Sequence, residues 1–329
     1  VLSRIAQELF WLGRNVARAE HTARMLDGVF QASLQGRPDD GVGGSASVRL
    51  GWGSLLAIMG AQGDGRPVRR DEVLTRLTLE REEPASVISC VSRAREGART
   101  MRDVISAEMW EAVNTTHLAL SAGDLEGRMQ MGPYSVFQYV KERSALFWGL
   151  TSRTMLRDEA RAFLVAGGRI ESADMVLRML RVAMPTPGER PDPAHPDGVR
   201  DGQALALLQA VGGFQAFRRA VPAPPNAGPV ARFLLYERAY PDSVAASVDA
   251  VHGALVDADA APRSSEPVLR LSRLAADLEF RGRAAAEDGN LAEATSLVQS
   301  ELALIDADIA ERYFAGAGAA GGWDRYLIA

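Results

Sequence analysis

The chain predicts an all-α fold, a helical bundle, on three observations. Apolar residues recur at steps of three and four over long stretches, strand signals are nearly absent, and the sequence repeats itself. The segment 2–26 recurs at 156–180 without a gap, with seven identities at Leu2/Leu156, Ala6/Ala160, Gly13/Gly167, Ala19/Ala173, Arg24/Arg178, Met25/Met179 and Leu26/Leu180. A second match in the same order, residues 80–87 with 237–244, shifts the offset only from 154 to 157. A unit of about half the chain is too long for one turn of a solenoid. The reading is therefore two related helical halves, residues 1–150 and 151–329, facing each other across a pseudo-twofold axis within one compact domain.

Taken in order, Leu2, Ile5, Leu9, Leu12, Val16, Ala19, Ala23, Leu26 and Phe30 form an unbroken helical stripe. Residues 36–51 and 60–67 read as loops around a short apolar helix, Trp52 to Met59. Pro84 places a helix start, with Val87, Val91, Ala94, Ala98, Met101 and Ile105 as its buried stripe. Tyr134 to Leu150 is another apolar helix. It leads into the second copy of the stripe, Leu156, Phe163, Ala166, Ile170, Ala173, Leu177 and Leu180, interrupted by Glu159. Gln203 to Phe217 occupies the place of the short apolar helix. Pro241 repeats the helix start, with Val244, Val248, Val251 and Leu255. A last long helix spans Val268 to Phe314, with a possible break at Gly289. Residues 185–196 and 222–229, rich in proline, read as surface loops, and the tail from Gly316 as mobile.

Composition narrows the setting. The chain has 329 residues, 47% hydrophobic content and a formal net charge of -5, which gives no electrostatic reason to expect nucleic acid. The single cysteine, Cys90, excludes an internal disulfide. Neither a membrane-spanning run nor a signal peptide is visible, so no membrane partner and a cytoplasmic location are the expectations. Lys141 is the only lysine, and the resulting arginine bias reads as codon usage rather than function.

The repeated helix carries the polar candidates. Opposite its stripe lie Phe10 and Trp11, then Arg14, Arg18 and His21, which implies a central helix with a second contact face. Like charges four residues apart repel unless an acid lies between them, and burial makes that acid more necessary. In the second copy Gly168 and Ser172 stand where Arg14 and Arg18 do, and Glu171 stands where Ala17 does. The first copy keeps the arginines and the second the glutamate. The expectation is one composite polar centre, with Arg14 and Arg18 reaching across to Glu171 and Asp174 and with His21 beside them; the alternative is arginines that are solvated or bridge to Glu20.

Residues 1–14, together with Arg18-Ala19-Glu20, Glu80-Arg81-Glu82-Glu83-Pro84, the run 93–99 and the run 153–159, resemble the bacterial alpha-E family, helical proteins named for a recurrent Glu-Arg motif. The resemblance spans nearly the whole chain, and Val1 in the place of the usual initiator methionine is read as a start there. The family motif Gly-Arg-x-x-Glu-Arg-Ala is incomplete in both copies: Ala17 replaces its glutamate in the first, and the second, Gly167 to Ala173, lacks both arginines. The resemblance implies an occurrence beside circularly permuted ATP-grasp ligases and transglutaminase-like proteins. It therefore implies an accessory subunit that binds such a ligase or its peptide or nucleotide-bearing substrate.

In that reading Arg14, Arg18, Arg95 and Arg99 offer planar forks to carboxylate or phosphate. Glu80-Arg81 and Glu237-Arg238 are either a symmetric polar site or ties between helix ends. Two other readings stand: an enzyme using Glu80, Glu171 or Glu237 as general base, and an oligomeric scaffold. No recognised reaction machinery favours the enzyme. Gly41 to Ser45 is glycine-rich but precedes no phosphate-binding lysine, and His21, His117, His195 and His252 lack metal-ligand spacing, so neither cofactor nor metal is expected. Cys90 reads as a small core residue.

Overall fold

A computed structural model describes residues 2–34, 51–61, 68–122, 125–183, 198–284 and 291–315. Among them are fourteen α-helices, one short 3-10 turn and no strand. The first seven helices are α1 (Ser3–Leu34), α2 (Trp52–Met59), α3 (Arg70–Leu79), α4 (Val87–Thr100), α5 (Ala107–Ser121), α6 (Leu125–Met131) and α7 (Tyr134–Thr154). The others are α8 (Glu159–Ala183), α9 (Gly198–Ala210), α10 (Phe214–Ala220), α11 (Ala227–Tyr236), α12 (Val244–Ala258), α13 (Glu266–Arg283) and α14 (Leu291–Tyr313). The expected loop 185–196, the tail from Gly316, the break at Gly289 and most of the two early loops lie outside the described residues.

The two repeated helices, α1 and α8, form the centre. Every residue from Glu8 to Ala19 is buried, the apolar stripe together with Phe10 and Trp11 on its far side. A helix buried all round needs neighbours on every side, and α1 has them in α4, α7, α8 and α9. α8 is packed in turn by α12, α14 and α2. Thus the short apolar helix that follows α1 lies on α8, and the one that follows α8 lies on α1.

The two central helices meet at glycines. A Cβ on Gly13 would overlap the carbonyl oxygen of Leu164, and a Cβ on Gly167 would overlap that of Phe10. Gly13 and Gly167 are repeat partners, as are Phe10 and Leu164, so the close approach is reciprocal. Absence of side chains there brings the backbones together, which is how a small residue at a crossing sets interaxial distance. Corresponding helices also begin at a nearly constant spacing: Ser3/Glu159, Arg70/Ala227, Val87/Val244, Ala107/Glu266 and Tyr134/Leu291.

Several local expectations need correction. Each proline precedes its helix by a short turn rather than entering it. The N-caps are Ser86 and Ser243, whose hydroxyls accept from Ser89 N at 3.2 Å and Ala246 N at 3.0 Å. α4 stops at Thr100, and Met101 and Ile105 are buried by the turn that follows. α8 starts at Glu159, so Leu156 lies outside the stripe and, like Leu2, is exposed. Gly212, with φ +71°, splits the expected helix 203–217 into α9 and α10; that left-handed conformation favours glycine. Pro229 belongs to the first turn of α11 rather than to a loop, since a first-turn residue needs no intrahelical N–H. The last long helix does carry a break, as the sequence allowed, with α13 ending at Arg283 and α14 starting at Leu291.

Candidate functional site

At the α1–α8 crossing the sequence places two buried arginines on one helix and a buried glutamate on the other. Arg14 and Arg18 are four residues apart and so project from the same side of α1. Glu171 is fully buried between them. Arg18 Nε donates to Glu171 Oε1 at 2.5 Å, and Arg18 Nη2 donates to Oε2 at 2.8 Å. Arg14 Nε donates to the same Oε2 at 3.0 Å, and Arg14 Nη1 donates to Asp306 Oδ2 at 2.7 Å. The guanidinium of Arg14 also lies 5.0 Å from the Trp11 ring, a favourable place for a desolvated cation.

Two cations and two anions thus close on one another. Burial alone would push the Glu171 carboxyl upward, but Arg18 and Arg14 outweigh it and hold its pKa down at about 2. Burial likewise opposes the charge on Arg14, and Asp306 and Glu171 more than restore it, raising its pKa. Removing one member would strand a buried charge, the costly outcome for such networks.

Asp174, expected among the acceptors of Arg14 and Arg18, instead pairs with Arg178 on its own helix at 2.8 Å and acts on Arg14 through space. His21 reaches α8: its Nε2 is 3.0 Å from Ser172 Oγ, while its Nδ1 is buried without a hydrogen-bond partner. Arg24 rather than Arg14 or Arg18 takes Glu20, at 2.7 Å.

The remaining candidates lie apart from the cluster. Arg95 and Arg99 share Glu96, at 2.6 and 2.9 Å, and Arg95 also donates to Asn114. Glu80 closes α3, where its carbonyl accepts from Ser86 Oγ, and Arg81 is exposed. Glu237 accepts from Ala239 N at 3.0 Å, and Arg238 ties α12 to α13 through Asp249 at 3.3 Å and Glu279 at 3.4 Å. Among the described residues no ion pair joins the two Glu-Arg segments. Cys90 is fully buried, and burial pushes its thiol up, away from thiolate.

The structure adds Asp306 and Gln299, both on α14, which sequence reasoning missed. Asp306 directly follows Ile305 of the buried row Val298, Leu302, Ile305 and Ile309, and an acid in that place was the available signal. These residues border a cleft of about 900 Å³ between α8 and α14, whose lining also includes Arg14, Arg18, Arg178 and Arg181. Among the described residues no group of three His, Cys, Asp or Glu side chains could hold a metal, and no helix is long and apolar enough to cross a membrane.

A family model describing a predicted alpha-helical domain with a conserved ER motif matches residues 1–314. No curated protein and no solved structure matches the chain.

Proposed function

The chain belongs to the Alpha-E family, and from that premise we propose that it is an accessory helical subunit which binds an ATP-grasp-type amide ligase or that ligase's peptide substrate. The setting is a bacterial peptide-modification or peptide-synthesis pathway in the cytoplasm, with a transglutaminase-like protein as a further partner. The partner supplies the ATP chemistry. One observation carries the reading: the glutamate of the composite Glu-Arg centre is committed to two arginines, with its pKa held at about 2. A carboxylate so far below neutrality is a poor proton acceptor and never a proton donor at pH 7. The centre acts as a keystone between two helices, and binding surfaces elsewhere do the work.

The proposal includes the architecture. Residues 1–150 and 151–329 are two halves about a pseudo-twofold axis, a reading supported by the reciprocal glycine contacts and by α2 and α9 each lying on the other half's central helix. A closed pair of this kind leaves a rigid outer surface on which a ligase could dock.

The test is affinity purification of the full chain from its host with identification of bound proteins, followed by ATP-dependent amide formation with and without the chain. The expected result is an ATP-grasp ligase in near-stoichiometric amount, a turnover that rises when the chain is added, and no ATP consumption by the chain alone. Amide-bond formation by the isolated chain, or a ligase indifferent to it, would reject the accessory role.

A further inference from the structure

The cleft between α8 and α14 carries more positive than negative charge. Its lining has four arginines, Arg14, Arg18, Arg178 and Arg181, against two carboxylates, Asp174 and Asp306. Arg14 and Arg18 are engaged by Glu171 and Asp306. At the other end a relay runs outward: Arg178 Nε donates to Asp174 Oδ2 at 2.8 Å, and Gln299 Nε2 donates to Asp174 Oδ1 at 3.1 Å. Arg181 Nη1 then donates to Gln299 Oε1 at 2.6 Å.

The relay ends on a guanidinium held by a neutral amide. Among the described residues Arg181 meets no carboxylate, and that bond uses one of the five N–H donors a guanidinium offers. It stands exposed at the rim, held by Gln299 and facing no carboxylate among the described residues. The nearby hydroxyls of Ser296 and Ser300 return their protons to their own helix, at 3.1 and 3.0 Å, so the guanidiniums are the donors to anything that enters. Ile170, Val182 and Leu302 supply an apolar wall. A volume of about 900 Å³ is that of a site for a small organic ligand.

We infer that this cleft binds a small ligand whose carboxylate or phosphate is forked by Arg181 and Arg178 while a partly apolar body lies against α8 and α14. Planar guanidiniums match either oxyanion in bidentate fashion. The net charge of the chain is -5, so attraction of an anion is a local property of this cleft. The inference deepens the accessory reading and rests on it for the source of the ligand alone, a peptide end or a phosphate-bearing reactant.

The test is calorimetric titration of the full chain with four probes: acetyl-Ala-Leu-Ala with a free C-terminus, the same peptide amidated, inorganic phosphate and ATP. At least one anionic probe binds. Loss of binding on amidation assigns the peptide carboxylate, whereas binding of phosphate or ATP with indifference to amidation assigns the phosphate. Arg181→Gln weakens binding about tenfold or more with an unchanged thermal transition, because its side chain is outside the core. Gln299→Leu, which removes the relay, weakens it by a smaller factor. Failure of all four probes at millimolar concentration, or an Arg181→Gln variant that binds as wild type does, overturns the inference. Ligase capture is read separately: a chain that captures ligase but binds no anion loses this inference only, and anion binding without ligase capture rejects the accessory role only.

Discussion

Glu171 receives three of the four hydrogen bonds that hold the centre together, so its ionisation is tied to folding. Its carboxyl lies at about 2 in the folded chain against an ordinary 4.5, and a lowered carboxyl pKa stabilises the state that lowers it. That stability is fully present above pH 4.5 and is lost as pH falls to about 2. At 1.36 kcal/mol per unit it amounts to roughly 3 kcal/mol. Glu171→Gln should therefore flatten the acid limb between those values in chemical denaturation, while costing about 3–5 kcal/mol at pH 7 because two buried arginines lose their shared anion. A variant as stable as wild type at pH 7 would mean the cluster is not a keystone. The pairing of Arg14 and Arg18 with Glu171 was legible because the two copies had lost complementary charges. Asp306 was not, since 292 residues separate it from Arg14 and nothing local ties an acid on one helix to an arginine on another.

Helices owe their separation to what stands at their crossings, and Gly13 and Gly167 let α1 and α8 touch backbone to backbone. Ala is intrinsically the better helix former, by roughly 0.5–1 kcal/mol. At these two positions its methyl would meet a carbonyl oxygen that cannot move without its helix. Gly13→Ala and Gly167→Ala should each lower stability by about 1–3 kcal/mol or more, the cost of overpacking. Gly253→Ala in α12, whose added methyl meets nothing within 4 Å, should raise it by roughly 0.4–1 kcal/mol. Thermal melts of the three variants check the opposed signs, and stabilisation by all three would show that the crossing tolerates separation. The identity of Gly13 and Gly167 was visible in the repeat, but not their meeting, because periodicity tells which face is buried and not against which element. The same limit explains why α3, α5 and α11 were missed. The buried row of α3 is short, Val73, Leu74 and Leu77; that of α5, Met109, Ala112, Val113, Thr116 and Leu120, is built partly of small and polar residues; and the proline just inside α11 reads locally as a loop.

At the scale of the molecule, the question is whether either half has a structure of its own. The buried apolar cluster runs through residues of both halves, from Ala6 to Phe314. α2 packs on α8 and α9 on α1, so division would expose an apolar surface on each piece. Electrostatics sharpens the asymmetry. The first half alone would keep Arg14 and Arg18 facing one another without Glu171 or Asp306, and the second would keep Glu171 without either arginine. Residues 1–155 and 156–329 expressed separately should each lack a cooperative thermal transition, and co-expression should restore one stable complex, measurable by calorimetry and size-exclusion chromatography. Replacing Arg14 and Arg18 with methionine removes the unpaired charge without emptying the space, a change that often costs little or stabilises when the whole network is absent. It should therefore raise the helicity of the first half and weaken its complex with the second. A first half that unfolds cooperatively on its own, with both arginines in place, would mean that duplication joined two independent domains rather than dividing one core between two copies.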